Sequence, residues 1–305
     1  MYVWVVFGLS VAVAIAIDLG VFHRRARAIS LRAALIETAA WIALSLAFNA
    51  WVYFSRGHEA GLQFLTGYVV EKSLSVDNIF VFVVIFRALG VPAASQHKVL
   101  YSGVVGALAM RGLFVAAGVQ LLHHFRPVLF LFGAILLFTG FRMLYPGARE
   151  VEPERNWLVR TVRRAVPITK EFHRDAFFVR RERRWNATPL FLALIAVEAM
   201  DIVFAVDSVP AVLAITRDTF VAYSSNVFAI LGLRAMYFGL AGILPRFRFL
   251  HAGLAAILIF VGSKMIVAEK WAISTEISLA VIGTILAATI AASFVWPAAK
   301  RATGR

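Results

Sequence analysis

Nine apolar runs long enough to cross a hydrocarbon layer dominate the chain: residues 2 to 22, 33 to 54, 62 to 86, 99 to 122, 127 to 145, 189 to 215, 221 to 244, 249 to 268 and 277 to 299. Runs of this length leave little choice of fold, because lipid offers a backbone N–H or C=O no partner beyond its own segment. The predicted fold class is an all-α membrane protein of about nine transmembrane helices, with residues 1 to 305 forming a single transmembrane domain. Composition agrees: 61% hydrophobic residues, 16% charged and a mean hydropathy of +0.81 lie outside the range of soluble domains. Cysteine is absent, which excludes disulfides, thiolate metal sites and cysteine nucleophiles. Any metal must be held by oxygen or imidazole.

The net charge of +14 raises the question of a nucleic-acid partner, and the placement of the basic residues answers it. With the N-terminus outside, 23 Lys and Arg fall in inward loops and four, at positions 56, 126, 217 and 270, in outward ones. That asymmetry is the positive-inside pattern, so the expected orientation is N-out, C-in. The first run has no basic stretch before it and reads as a retained first span, not a cleaved signal. Residues 146 to 188 form the only long loop. Its Arg pairs interleave with Phe172, Phe177, Phe178 and Trp185, and a basic cytoplasmic loop against anionic lipid accounts for them without nucleic acid. Asn186-Ala187-Thr188 matches a glycosylation sequon on the wrong side of the membrane for use.

Five carboxylates interrupt the apolar runs: Glu71, Asp77, Glu198, Asp201 and Asp207. On insertion scales each costs about 2.5–3.5 kcal/mol near a bilayer centre, so something must compensate them. Aligning Asp77 with Asp207 places Glu71 over Asp201 and Asn78 over Ser208. The match continues through Ser102 to Arg111 against Ser225 to Arg234, and Phe138 to Met143 against Phe260 to Met265. Residues 62 to 145 therefore read as a three-helix unit repeated in 189 to 268. An odd number of spans makes the second copy enter from the opposite side, giving an inverted repeat, and such folds place their substrate site near the midplane between the copies. The second copy adds Glu198 where the first has Tyr68.

On a helix turning about 100° per residue, seven residues return to nearly the same face. Glu71 therefore aligns with Asn78, and Asp201 with Ser208. Glu198, one turn before Asp201, can join that face. Asp77 and Asp207 are displaced by about 100° from their neighbours. Pro210 cannot donate to the Val206 carbonyl, so a kink there would free a further oxygen. Carboxylates, an amide, a hydroxyl and a carbonyl form a hard-oxygen set suited to Mn²⁺, Mg²⁺ or Ca²⁺. Against it stand structural ion pairs, since Lys72, Arg111, Arg234 and Lys264 also lie within spans. A mixed arrangement is expected, with Arg111 and Arg234 steadying some acids while others face the ion. Asp18 and Glu37 are expected to pair locally with the loop of Arg24 to Arg32, with a gate role as the alternative. Asn49 reads as a helix–helix hydrogen bond, His123 and His124 as solvated interfacial residues, and Trp4, Trp51, Trp271 and Trp296 as membrane anchors.

The stretches EKSLSVDNIFVF (71 to 82), AVEAMDIVFAVDSVPAVLAIT (196 to 216) and PITKEFHRDAFFVRRERRWNATPLFLAL (167 to 194) resemble the TerC (tellurite-resistance) family, including its Alx-type members. The resemblance covers nearly the whole chain. It implies a multispan inner-membrane protein linked to metal-ion homeostasis, Mn²⁺ export above all, to tellurite resistance and to alkaline pH. It also implies kinship with the lysine-exporter-like superfamily of inverted three-helix repeats. The expected function is a secondary transporter exporting Mn²⁺ or a similar divalent cation in exchange for protons, without a prosthetic group. The rival is a membrane organising or assembly protein in tellurite or envelope stress resistance, acting through the basic loop. An intramembrane aspartyl protease would need a Gly-x-Gly-Asp motif that is absent, so no enzyme is expected.

Overall fold

The computed structural model describes residues 2–17, 31–125, 127–145, 157–169, 171–173, 175–181, 184–241, 247, 249–268, 270–271 and 273–296. Helices α1 (Tyr2–Ile17), α2 (Leu31–Arg56), α3 (His58–Ala88), α4 (Ala93–His124) and α5 (Val128–Leu144) come first. A short α6 (Trp157–Ala165) and an antiparallel hairpin, β1 (Phe178–Arg181) with β2 (Arg184–Ala187), follow. Then come α7 (Pro189–Leu213), α8 (Thr219–Leu231), α9 (Leu233–Leu240), α10 (Leu250–Val267) and α11 (Thr275–Val295). The chain is a multi-pass membrane protein, in which α2, α4, α7, α10 and α11 are each long and apolar enough to cross a bilayer. The central α3 carries too many polar groups to pass that test, yet its 31 residues span about 46 Å.

Two elements depart from the all-α, one-run-one-helix expectation. The described part of the run 221 to 244 holds two helices, α8 and α9, separated at Gly232. The basic loop contains a hairpin whose strand Arg184–Ala187 also bridges Ile168, with Thr169 donating to the Ala187 carbonyl. Phe, Val and Trp in that stretch suit paired strands better than a surface helix.

Local chemistry sets the helix ends. Gly90 (φ 65°) ends α3 in a Schellman turn, in which Val91 N–H bonds the Phe86 carbonyl and Gly90 N–H bonds that of Arg87. Pro189 occupies the first turn of α7, and Asp218 caps α8 by accepting from the amides of Phe220 and Val221. Helix ends meet as the alternating topology requires. Arg56 pairs with Asp218 at 2.8 Å and Thr275 donates to Glu59 at 2.6 Å at one end. At the other, here called the basic end, Tyr237 donates to Gln96 at 2.8 Å, and Asp175 of the long loop accepts from Ser95 at 2.7 Å.

Packing places α3 against α2, α7, α8 and α11, α4 against α7, and α5 against α10. The α5–α10 crossing is backbone-close and reciprocal. A Cβ on Gly140 would lie 3.0 Å from the Ala255 carbonyl oxygen, and one on Gly262 would lie 2.9 Å from that of Gly133. Two apolar clusters bracket α3 and α7. One, at the basic end, takes Ile79 to Phe86 of α3 and Leu190 to Val197 of α7. The other takes Val70 of α3 and Ala205 to Leu213 of α7 with α5 and α10. Glu71 and Asp201 fall between the two clusters, as do Asp77 and Asn78.

Candidate functional site

Glu71 and Asn78 lie two turns apart on a buried face of α3, and Asp201 and Ser208 occupy the matching face of α7. Where α3 and α7 meet, Glu71, Asp77, Asn78, Arg111, Asp207 and Ser208 line one cavity of about 30 Å³. Met143 of α5 and Leu258 of α10 form its apolar back wall. A second, smaller cavity of about 10 Å³ lies toward the basic end, with Asn78, Arg111, Asp201 and Arg234 on its walls. Asn78 and Arg111 are common to both and separate them. The larger cavity has room for two or so waters, the smaller for about one.

Arg111 governs the charge between them. Its Nη1 lies 2.6 Å from Glu71 Oε1 and donates to Asn226 Oδ1 at 2.7 Å. The contact to Glu71 is held by charge without well-aligned hydrogen-bond geometry. Glu71 Oε2 and Ser208 Oγ, both buried, have no hydrogen-bond partner. Orphaned oxygens at such positions imply water or an ion, because an unmatched buried acceptor costs about 1–3 kcal/mol. Among the described residues, no three His, Asp or Glu side chains converge closely enough to hold a metal by themselves. An ion here would draw on carboxylates together with neutral oxygens and retained water.

Asp77 and Asp207 reach the larger cavity although single-helix geometry aims them aside. The reason is that the cavity extends from the α3–α7 contact back to α5 and α10, so it faces a wide arc of each helix. Thr139 of α5 donates to Asp207 at 2.7 Å, and His251 of α10 approaches Asp77 at 3.5 Å. The helix α7 runs on through Pro210 to Leu213, and the helix break in the second copy lies at Gly232.

Four residues have different surroundings from those expected. Glu198 lines neither cavity: its carboxylate occupies the notch at Gly106 of α4, where a Cβ would lie 2.5 Å from Glu198 Cδ. Glu37 does not pair with the loop of Arg24 to Arg32. It meets Arg234 of α9 at 2.6 Å, both side chains 4% exposed. Asp18 and the loop residues Arg24, Arg25 and Arg27 lie outside the described residues. Lys72 and Lys264 line neither cavity. Lys72 donates at 3.2 Å to the Ala229 carbonyl beside the break at Gly232, and Lys264 donates at 2.7 Å to Ser278. Asn226, Thr139 and His251 went unnoticed in the sequence. Asn226 had a usable signal, being an amide in an apolar run opposite Gly103 of the first copy.

The model of the integral membrane protein TerC family matches residues 56–302. An uncharacterized membrane protein of Myxococcus xanthus, STKORF319, is 47% identical over 292 residues, covering 96% of this chain and 92% of its own. A protein of Escherichia coli (strain K12) is 44% identical over 295 residues, covering 94% of this chain and 92% of its own. It carries the provisional description of a membrane-bound redox modulator, Alx. An uncharacterized membrane protein of Rickettsia bellii is 36% identical over 292 residues, covering 96% of this chain and 97% of its own. No solved structure matches the chain.

Proposed function

The chain belongs to the TerC family of integral membrane proteins, and we propose that it is a secondary transporter exporting a divalent cation, Mn²⁺ first among candidates, in exchange for protons. It would lie in the inner membrane with its N-terminus outside and its C-terminus in the cytoplasm. The observation that carries this reading is the larger cavity, where Glu71, Asp77 and Asp207 share a wall with Asn78 and Ser208 while two oxygens lack partners. Carboxylate and neutral oxygen around a small enclosed volume suit a hard cation that keeps part of its water. A proton competing with the metal for one carboxylate would couple the two fluxes.

Alternating access about this cavity follows from the inverted repeat, which the packing supports. The pair α3–α8 mirrors α7–α4, while α3–α7 and α5–α10 each join equivalent helices. At the α5–α10 crossing, Gly140 faces Ala255 as its counterpart Gly262 faces Gly133, the counterpart of Ala255. The redox description of the Escherichia coli relative, brought to this chain, fits an indirect role. With no cysteine, the chain would alter redox balance through the ions it moves.

The test is flux of Mn²⁺ and other divalent ions in proteoliposomes under an imposed pH gradient. Wild type should transport, and Asp201→Asn and Asp207→Asn should each abolish transport. Wild-type flux in either variant removes that acid from the mechanism. The organising-protein alternative has its own support in the exposed Phe178 and Trp185 of the hairpin. It requires that neutralising the basic residues of 149 to 184 abolish function in cells while both acid variants remain competent.

A further inference from the structure

The hairpin of the long loop carries an apolar and a basic surface side by side. Strand alternation puts Phe178, Arg180, Trp185 and Ala187 on one face, while Arg181 and Arg184 form a pair on the other. Ala187 is buried, yet Trp185 and Phe178 are 66% and 44% exposed. Arg181 and Arg184 stand directly opposite each other in the register, and like charges so placed repel. All three arginines are exposed, and none meets a carboxylate among the described residues. We infer that this hairpin is a docking site for anionic phospholipid, with Trp185 and Phe178 at the acyl boundary and Arg180, Arg181 and Arg184 on the headgroup phosphates.

Position in the fold selects lipid over other anions. Phe178 packs on Phe191 in the first turn of α7, with ring centroids 4.5 Å apart. Helical spacing puts Phe191 on one face of α7 with Ile195, Ile202 and Val206, all partly or fully exposed. Exposed apolar side chains on a helix that crosses a bilayer are where acyl chains lie, so the hairpin stands at the basic end of a lipid-facing stripe. Its height is fixed from both strands. The N–H of Thr188 donates to the Phe177 carbonyl and that of Thr169 to the Ala187 carbonyl, each at 2.9 Å. Lys98 of α4 lies 4.8 Å from the centre of the Phe177 ring, and Ile168, Phe172 and Phe177 pack into the apolar cluster at the basic end. A tryptophan held at that depth matches the interfacial aromatic belt, and guanidinium groups take phosphate through paired N–H donors. Phosphatidylcholine brings a cation of its own with its phosphate, so the uncompensated arginines favour headgroups with a net negative charge. The site would serve a transporter and an organising protein alike, and its test measures no transport.

The test uses the whole chain in phosphatidylcholine vesicles that hold an equal minor fraction of either brominated phosphatidylglycerol or brominated phosphatidylcholine. Bromine on an acyl chain quenches tryptophan at close range, and subtracting the signal of Trp185→Phe isolates Trp185 from the other tryptophans. Trp185 should be quenched several-fold more by the brominated phosphatidylglycerol. Arg180→Gln/Arg181→Gln/Arg184→Gln should remove that preference while Trp185 stays quenched alike by both lipids, which shows the hairpin still in place. Equal quenching by the two lipids in wild type, or a preference that survives the triple substitution, overturns the proposal. So does the absence of quenching by either lipid, which assigns this face to a protein partner or a second copy of the chain. Inorganic phosphate should displace the brominated phosphatidylglycerol no better than sodium chloride at the same ionic strength; stronger displacement makes free phosphate the ligand and overturns the lipid assignment. Where the triple variant does not accumulate, Arg181→Gln and Arg184→Gln should each lower the preference by themselves, and an unchanged preference in both likewise overturns the proposal.

Discussion

Replacing Arg111 by Met would leave a carboxylate at 0% exposure without its cation and the Asn226 amide oxygen without its donor. Losing one partner of a buried ion pair costs about 3–5 kcal/mol, and orphaning a neutral acceptor adds about 1–3 kcal/mol. Arg111→Met alone should therefore lose about 4 kcal/mol or more of stability. Glu71→Gln/Arg111→Met removes both charges, so the larger part of the penalty disappears and only unmatched amides remain. The double variant should recover about 2–4 kcal/mol relative to the single one, because removing the second charge offsets most of the cost of removing the first. Unfolding in mixed micelles by increasing SDS, followed through the seven tryptophans, measures the difference. If Arg111→Met unfolds at the wild-type midpoint, or if the double variant is the less stable of the two, the guanidinium is not compensating Glu71 and the account of the charged core fails.

Gly140→Ala and Gly262→Ala should each cost about 1–3 kcal/mol in the same assay, since the new methyl meets backbone oxygen at 3.0 and 2.9 Å. Because either change alone already forces α5 and α10 apart, the pair should cost clearly less than the sum. Gly106→Ala pushes the Glu198 carboxylate from its notch on α4 and should be destabilising in wild type but nearly neutral when Glu198 is already Ala, as SDS unfolding would show. Asp175→Ala removes the acceptor for Ser95, which should free the segment 157 to 187 from the basic end. Trypsin should then cut after Arg180 and Arg181 faster, with unfolding of the membrane helices unchanged.

Periodicity and charge revealed much of the membrane architecture, because a bilayer imposes length and polarity rules that single residues cannot evade. Glu71 with Asn78 and Asp201 with Ser208 were legible as faces, since a seven-residue offset fixes direction on a helix whatever surrounds it. Partners were not legible. The pairing of Glu37 with Arg234 spans 197 positions and depends on how α2 lies against α9, which no local pattern encodes. Glu198 was drawn into the acidic set by its position one turn from Asp201, but two small residues on α4, Gly103 and Gly106, open a pocket that takes it elsewhere. The break at Gly232 hid in a run whose composition never falters. Proline at 210 attracted attention instead, although α7 passes through it.

That break has a further meaning. Interrupted membrane helices expose carbonyl oxygens that small alkali ions use as seats. Here the carbonyl of Ala229 accepts from the ammonium of Lys72, and a Cβ at Gly232 would crowd that same ammonium at 2.6 Å. The seat comes with a resident cation on a four-carbon tether, one that cannot diffuse away when the external salt changes. Glycine at 232 is what keeps the tether's path open.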